Sequence, residues 1–156
     1  FFSPLLPSLG TMRARAERVV CLSNLRSLHA SLASYLTDHR QWPQVPEELP
    51  INLVPKFWVD SLKEYGTTQK VWICPTLQRE HRENPSRFDL YPEIHYMPAE
   101  FDEKAATPHK WPAMPWAIEI GNMHGEGNFV IRADGGIKGM DELIREANGA
   151  AVHKLE

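Results

Sequence analysis

The stretch "RAERVVCLSNLRSLHASLASYLTDHRQWP", residues 15–43, decides the fold of this chain. Its apolar residues recur at steps of three and four, which is the spacing of one face of an α-helix. They are Val19, Leu22, Leu25, Leu28 or His29, Leu32 and Leu36. The prolines at 43, 46 and 50 forbid its continuation. The sequence therefore predicts one helix at about residues 8–38, roughly 45 Å long at 1.5 Å per residue. We expect its polar and basic N-terminal third, "TMRARAER", to project from the core.

The composition is that of a folded domain. The 156 residues suffice for one hydrophobic core. Lys and Arg number 17 against 20 Asp and Glu, a net charge of −3, and the basic residues are scattered. That distribution argues against a nucleic-acid partner, which needs a contiguous basic face. The opening "FFSPLLPSL" is apolar but is interrupted by Pro4 and Pro7, and it is shorter than the roughly 18 residues of a membrane span.

The remaining segments predict a small antiparallel sheet. We expect a short helix at "KFWVDSLKEYG", strands at "KVWICP", "IHYMP" and "WAIEI", and an irregular stretch at residues 76–93. A hairpin is predicted at "NFVIRADGGIKGM", followed by a short helix or frayed end at "DELIREANGA". In "WAIEI", alternation sets Trp116, Ile118 and Ile120 against Ala117 and Glu119. The predicted class is α+β, a long N-terminal helix packed on a small antiparallel sheet with irregular proline-rich loops.

No catalytic or cofactor motif is apparent. His124 in "GNMHGEG" has Glu119, Glu126 and Asp134 nearby, but no HExxH or HxH spacing occurs, so polar loop residues are favoured over a metal site. The glycine-rich segment precedes no helix and is predicted to be a turn, not a phosphate loop. Cys21 has no evident base beside it. Several of the five tryptophans are interpreted as core residues in preference to a carbohydrate platform. We therefore predict no catalytic residue, no metal and no cofactor.

Two cysteines, Cys21 and Cys74, remain to be explained. They are far apart in the chain, and neither belongs to a CxxC pair, which disfavours a zinc ribbon or a thioredoxin-type site. The residues alone leave two alternatives, a disulfide or two buried thiols.

Three segments resemble type IV pilin-like proteins, in particular the type II secretion pseudopilins and their prepilin relatives in planctomycete and verrucomicrobial lineages. "LLPSLGTMRARAERVVCLSNLRSLHASLASYLTDHRQWP" is similar to the N-terminal helix of that family. "VWICP" resembles its strand with a second cysteine before proline, and "GNMHGEGNFVIRADGGIKGM" its closing hairpin. The chain departs from the family at its start, where Leu5 stands in place of a glutamate and the apolar run is shorter.

The resemblance implies a structural role and no enzymatic activity. A pseudopilin polymerises through its N-terminal helix into a type II secretion pseudopilus or a type IV pilus-like filament. The implied partners are copies of itself, other pseudopilins, secretion-machinery proteins and the inner membrane. The implied location is extracytoplasmic, with the full-length precursor anchored in the inner membrane and the head in the periplasm or on a surface filament. Alternatives are a binding module, minor tip subunit or adhesin on the same scaffold, or a small metal-dependent enzyme.

The resemblance also assigns residues. Residues 1–9 are interpreted as the remnant of the apolar anchor helix, and residues 10–156 as one pilin-like domain. The expected filament interface comprises Leu5, Leu6, Pro7, Leu9, Arg13, Arg15, Glu17 and Arg18. An oxidising compartment favours a Cys21–Cys74 disulfide. Some pseudopilins hold calcium in a C-terminal loop, where this chain offers Asp134, Asp141 and Glu142. Their spacing matches no EF-hand loop, and calcium needs six or more oxygens, so calcium is not predicted.

Overall fold

A long N-terminal helix packed against a four-stranded antiparallel sheet forms an α+β fold, as the sequence predicts. The computed structural model describes residues 9–87 and 92–152. Its helices are α1 (Leu9–His39), α2 (Val54–Leu62), α3 (Pro75–Glu83) and α4 (Met140–Val152). Its strands are β1 (Tyr96–Pro98), β2 (Pro115–Glu119), β3 (Phe129–Arg132) and β4 (Ile137–Gly139).

Helix α1 is the predicted long helix. It ends one residue beyond the predicted boundary, where Arg40 adopts a left-handed conformation with φ of 56° and its N–H donates to the Leu36 carbonyl at 3.0 Å. The buried face comprises Glu17, Cys21, Asn24, Leu25, Leu28, Ser31, Leu32 and Leu36. Val19 was predicted to belong to the apolar stripe but is 63% exposed. The helix therefore packs on the head chiefly through its C-terminal half.

The sheet is a meander in the order β1-β2-β3-β4, with every neighbouring pair antiparallel. The predicted hairpin is confirmed. Its turn places Gly135 at φ of 78°, a conformation that favours glycine, and the Asp134 carboxylate accepts the Gly136 N–H at 2.9 Å. Strands β2 and β3 carry a register irregularity between Pro115 and Ala117. This bulge changes which residues face α1.

Two sequence predictions around Cys74 are wrong. The segment "KVWICP" is not a strand, because residues 69–72 form a 3₁₀ turn and Pro75 begins helix α3. Residues 76–83, predicted to be irregular, continue that helix. Proline is well suited to the first turn of a helix, where its missing N–H has no partner to lose. The Cys74 segment is attached to the sheet by two hydrogen bonds with His95, from the His95 N–H to the Trp72 carbonyl and from the Cys74 N–H to His95 Nδ1, both 2.8 Å.

Tryptophan supplies much of the core. The fully buried ones are Trp42, Trp58, Trp72 and Trp116. Two of them satisfy their indole N–H groups with backbone carbonyls, Trp42 with Ala99 at 2.8 Å and Trp116 with Pro108 at 2.7 Å. Trp111 alone among the five is exposed, at 56%. Four tryptophans therefore stabilise the core as predicted, and they do not form a carbohydrate platform.

Candidate functional site

Four potential ligand side chains meet beneath α1. Cys21 comes from α1, Cys74 directly precedes α3, Glu119 ends β2, and His124 lies in the β2–β3 loop. Their sulfur, oxygen and nitrogen atoms all lie within 4.8 Å of one another. Cys21, Cys74 and Glu119 are fully buried, and the His124 side chain is 4% exposed. We call this group the Cys–Glu–His cluster.

The backbone of the β2–β3 loop explains how His124 reaches the cluster. The Asn128 side chain donates to the Glu119 carbonyl at 2.9 Å across the base of the loop. On the opposite side of the loop, the Glu126 carbonyl lies so close to Gly139 that a β-carbon on residue 139 would collide with it. The Met140 N–H donates to the Asn128 carbonyl at 2.9 Å. The loop is thus held between β2 and the β4–α4 junction, and His124 points inward.

Two short contacts organise the cluster. The two cysteine sulfurs are 2.9 Å apart, and the structure records them as free thiols. His124 Nε2 lies 3.3 Å from Glu119 Oε1. The other carboxylate oxygen of Glu119, Oε2, is buried and has no hydrogen-bond partner among the described residues. A buried carboxylate oxygen without a partner is costly, so this atom requires an explanation.

The protonation states follow from these contacts. Burial alone would lower the pKa of His124, but hydrogen bonds to Cys74 and Glu119 outweigh it and raise the pKa to about 9. The hydrogen bond with the Cys21 thiol, together with burial, raises the pKa of Cys74. The Glu119 contact therefore favours the protonated form of His124, whereas burial and the Cys21 contact favour the neutral thiol of Cys74.

A second layer of side chains surrounds the cluster. The His124 ring stacks on Phe129, with centroids 5.0 Å apart, and the Arg18 guanidinium lies 5.1 Å from the same Phe129 ring. The Tyr96 hydroxyl hydrogen-bonds Cys21 and receives a hydrogen bond from Asn24 at 3.3 Å. These contacts fix the orientation of the histidine and of one cysteine.

The expected filament-interface residues lie in different surroundings. Leu5, Leu6 and Pro7 lie outside the described residues. Every residue from 9 to 16 is exposed, including Leu9, Arg13 and Arg15. Glu17 and Arg18 instead bind within the subunit. Their roles in a filament stay predictions.

Glu17 is buried against α3. Its carboxylate accepts hydrogen bonds from Arg79 at 3.1 Å, from the Thr76 hydroxyl at 3.1 Å and from Arg13 at 3.0 Å. Arg18 forms an ion pair of 2.7 Å with Glu126. These contacts hold α1 on the head, and they lie next to the cluster.

Two of the three calcium candidates form ion pairs with basic residues. Asp134 pairs with Arg132 at 3.1 Å, and Glu142 pairs with Lys138 at 3.0 Å. Among the described residues, Asp134, Asp141 and Glu142 do not come together in a group of potential ligands.

Of the three acidic residues near His124 in the sequence, one accompanies it in the structure. Glu119 does accompany it, but Glu126 binds Arg18 and Asp134 binds Arg132. The alternation in "WAIEI" predicted Glu119 opposite the buried face. Beyond the bulge, Ala117 and Glu119 face the core while Ile118 is half-buried. The sequence feature that could have indicated this site is the glutamate in an otherwise apolar strand.

The chain matches no protein-family model, no curated protein and no solved structure. Within the described residues, no helix combines the length and the apolar character that crossing a membrane would need.

Proposed function

We propose that this protein is a structural subunit of the pilin-like kind, which polymerises through its N-terminal helix into a type II secretion pseudopilus or a type IV pilus-like filament. The proposal rests on the change from exposed to buried residues along α1. Its residues 9–16 are all exposed, whereas Cys21, Leu25, Leu28 and Leu32 are completely buried in the head. A helix with this division can present its first turns to a neighbouring subunit while its later turns hold the α+β head.

The exposed part of α1 carries apolar side chains that solvent does not favour. Leu9 is 85% exposed, and Met12, Val19 and Val20 are also exposed. Val20 borders a groove of about 440 Å³ that Ile73 and Pro75 also line. Burying such side chains between subunits would release about 25 cal/mol for each Å² removed from water. Contact between the exposed apolar side chains of neighbouring α1 helices would hold the subunits together, and this role needs no catalytic group.

The other parts of the proposal follow from the resemblance in sequence. The partners are further copies of the subunit, other pseudopilins and the secretion machinery, with the inner membrane holding the precursor. The head then lies in the periplasm or on a surface filament. The α+β fold, with its long N-terminal helix on a small antiparallel sheet, is compatible with this role.

Site-specific photocrosslinking tests the proposal. A photoreactive phenylalanine analogue replaces Val19 in the full-length protein, expressed in its native host. We expect irradiation to give a ladder of crosslinked subunits. The matched control places the analogue at Ile51, which is equally apolar and 86% exposed but lies far along the chain in the head. A ladder from the Ile51 variant and none from the Val19 variant would contradict assembly through α1.

A further inference from the structure

We propose that Cys21, Cys74, Glu119 and His124 form a tetrahedral transition-metal site in the reduced protein, suited to Zn²⁺. Two thiolates, one imidazole and one carboxylate are the ligand types that zinc binds in proteins, commonly four at a time. The set is wrong for calcium or magnesium, which take six or more oxygen ligands or an octahedron of oxygens and water.

The four ligand atoms lie within 4.8 Å of one another, so small movements would bring them to the separations of a zinc site. Zinc bonds of roughly 2.0–2.3 Å in a tetrahedron place neighbouring ligand atoms roughly 3.3–3.8 Å apart. The His124 Nε2 to Glu119 Oε1 distance is already 3.3 Å. The two sulfurs are 2.9 Å apart and would have to move apart by about 1 Å or less. A small rotation of either cysteine side chain provides that movement.

The unpartnered oxygen of Glu119 is an independent reason for a cation here. Oε2 is buried, no described residue donates to it, and it belongs to a fully buried carboxylate. A metal ion bound by this carboxylate would place positive charge beside both of its oxygens and so offset the cost of burying Oε2 without a donor. The chain therefore assembles four ligands from four separate segments, and one of them has no other evident use for its second oxygen.

The surroundings provide the remaining features of a metal site. The stack of His124 on Phe129 and the Tyr96 hydroxyl beside Cys21 orient two ligands, as outer contacts do in known sites. A cavity of about 260 Å³, which Thr76 and Met123 line, reaches His124 from the surface. This cavity is the route by which an ion would approach the cluster.

Metal binding and the predicted disulfide use the same sulfurs and exclude each other. Metal binding requires both thiols to lose their protons and His124 to be neutral, so it releases protons. Oxidation of the two thiols joins the sulfurs, releases two protons and two electrons to an added oxidant such as diamide, and removes two of the four ligands. The site is thus available only to the reduced protein.

Cobalt titration tests the site directly. The full chain is reduced, freed of metal, and titrated with Co²⁺ under anaerobic conditions. We expect one ion per chain, with a thiolate-to-cobalt charge-transfer band and the intense visible bands of tetrahedral Co²⁺, and displacement of cobalt by Zn²⁺. Weak octahedral bands, or no bound ion, would overturn the proposal.

Variants separate ligation from folding. Glu119→Gln and His124→Ala should each weaken Zn²⁺ binding by at least about 100-fold, because losing even an outer contact commonly costs 10–100-fold. His109→Ala, which removes an exposed histidine, should bind as the wild type does. Circular dichroism verifies that each variant is folded. If a variant does not fold, the test uses wild-type protein whose two thiols have been oxidised with diamide. Tetrahedral cobalt binding that is unchanged after the disulfide has formed would equally overturn the proposal.

Discussion

Cys21 and Cys74 are separated by 53 positions in the sequence, yet their sulfurs lie 2.9 Å apart in the core. In an oxidising compartment we expect a disulfide. It would contribute roughly 3–4 kcal/mol in the chain-entropy model, because it closes a long loop in the unfolded chain. Protein taken from its native compartment and alkylated in denaturant should show no labelled thiols before reduction and two after. Two labelled thiols without reductant would contradict both the disulfide and an oxidising location.

The residues of the cluster differ in how far the sequence could reveal them. The two cysteines were paired by the resemblance and by compartment. The sequence places Glu119 near His124, but it does not reveal that both converge on the cysteines. This convergence depends on the bulge between Pro115 and Ala117 and on the close approach of Gly139 to the loop. Neither feature leaves a spacing pattern in the sequence, since both arise from contacts between separate segments.

At the scale of elements, Glu17 ties α1 to α3. Replacing it by glutamine keeps the shape but removes the charge that Arg79 and Arg13 contact. We expect Glu17→Gln to lower the free energy of unfolding by about 1–3 kcal/mol, because Arg79 would lose the charged partner that α1 supplies. Urea denaturation at neutral pH measures this. Glu103→Gln, at an exposed site, is the matched control and should change stability little.

The same contact makes stability depend on acid. Burial would raise the pKa of Glu17, but hydrogen bonds from Arg79, Arg13 and Thr76 outweigh it and lower the pKa below its ordinary value of 4.5. The unfolded chain therefore binds more protons than the folded one as the pH falls through this range. The contribution of Glu17 is complete above about pH 4.5 and disappears below the folded-state pKa. The stability difference between wild type and Glu17→Gln should shrink as the pH falls from about 4.5 through the lower folded-state pKa of Glu17; a difference that stays constant would contradict this assignment.

The sequence predicts the long helix more accurately than the short helices and strands. Helix α1 was predicted to within a residue or so at each end, because its apolar period persists over many turns. Helix α3 was missed because the apolar residues Val71, Trp72 and Ile73 before Pro75 resemble a strand, and the charged residues after it resemble a loop. Local composition favoured the wrong element in a short segment whose state depends on packing against α1 and His95.

The whole molecule consists of a head and of the first turns of α1, whose residues 9–16 are all exposed. Within the head, α1 contributes fully buried leucines, and its backbone can open only when much of the core opens with it. Residues 9–16 are exposed throughout, and an isolated helical end of that length has little stability of its own. The stability of the long helix should therefore change sharply along its length, near the contacts of Glu17 and Arg18 with the head.

Hydrogen exchange on the purified subunit measures that change. We expect amides of residues 11–16 to exchange with little protection, because local fraying exposes them, and those of Leu25, Leu28 and Leu32 to approach the free energy of global unfolding. If the helix end is covered by neighbouring subunits, the same amides should become protected in isolated filaments, while the protection of the leucines stays unchanged. Uniform protection along α1 in the isolated subunit would show that the first turns are stable without a partner, and it would remove the physical reason for assigning them to assembly.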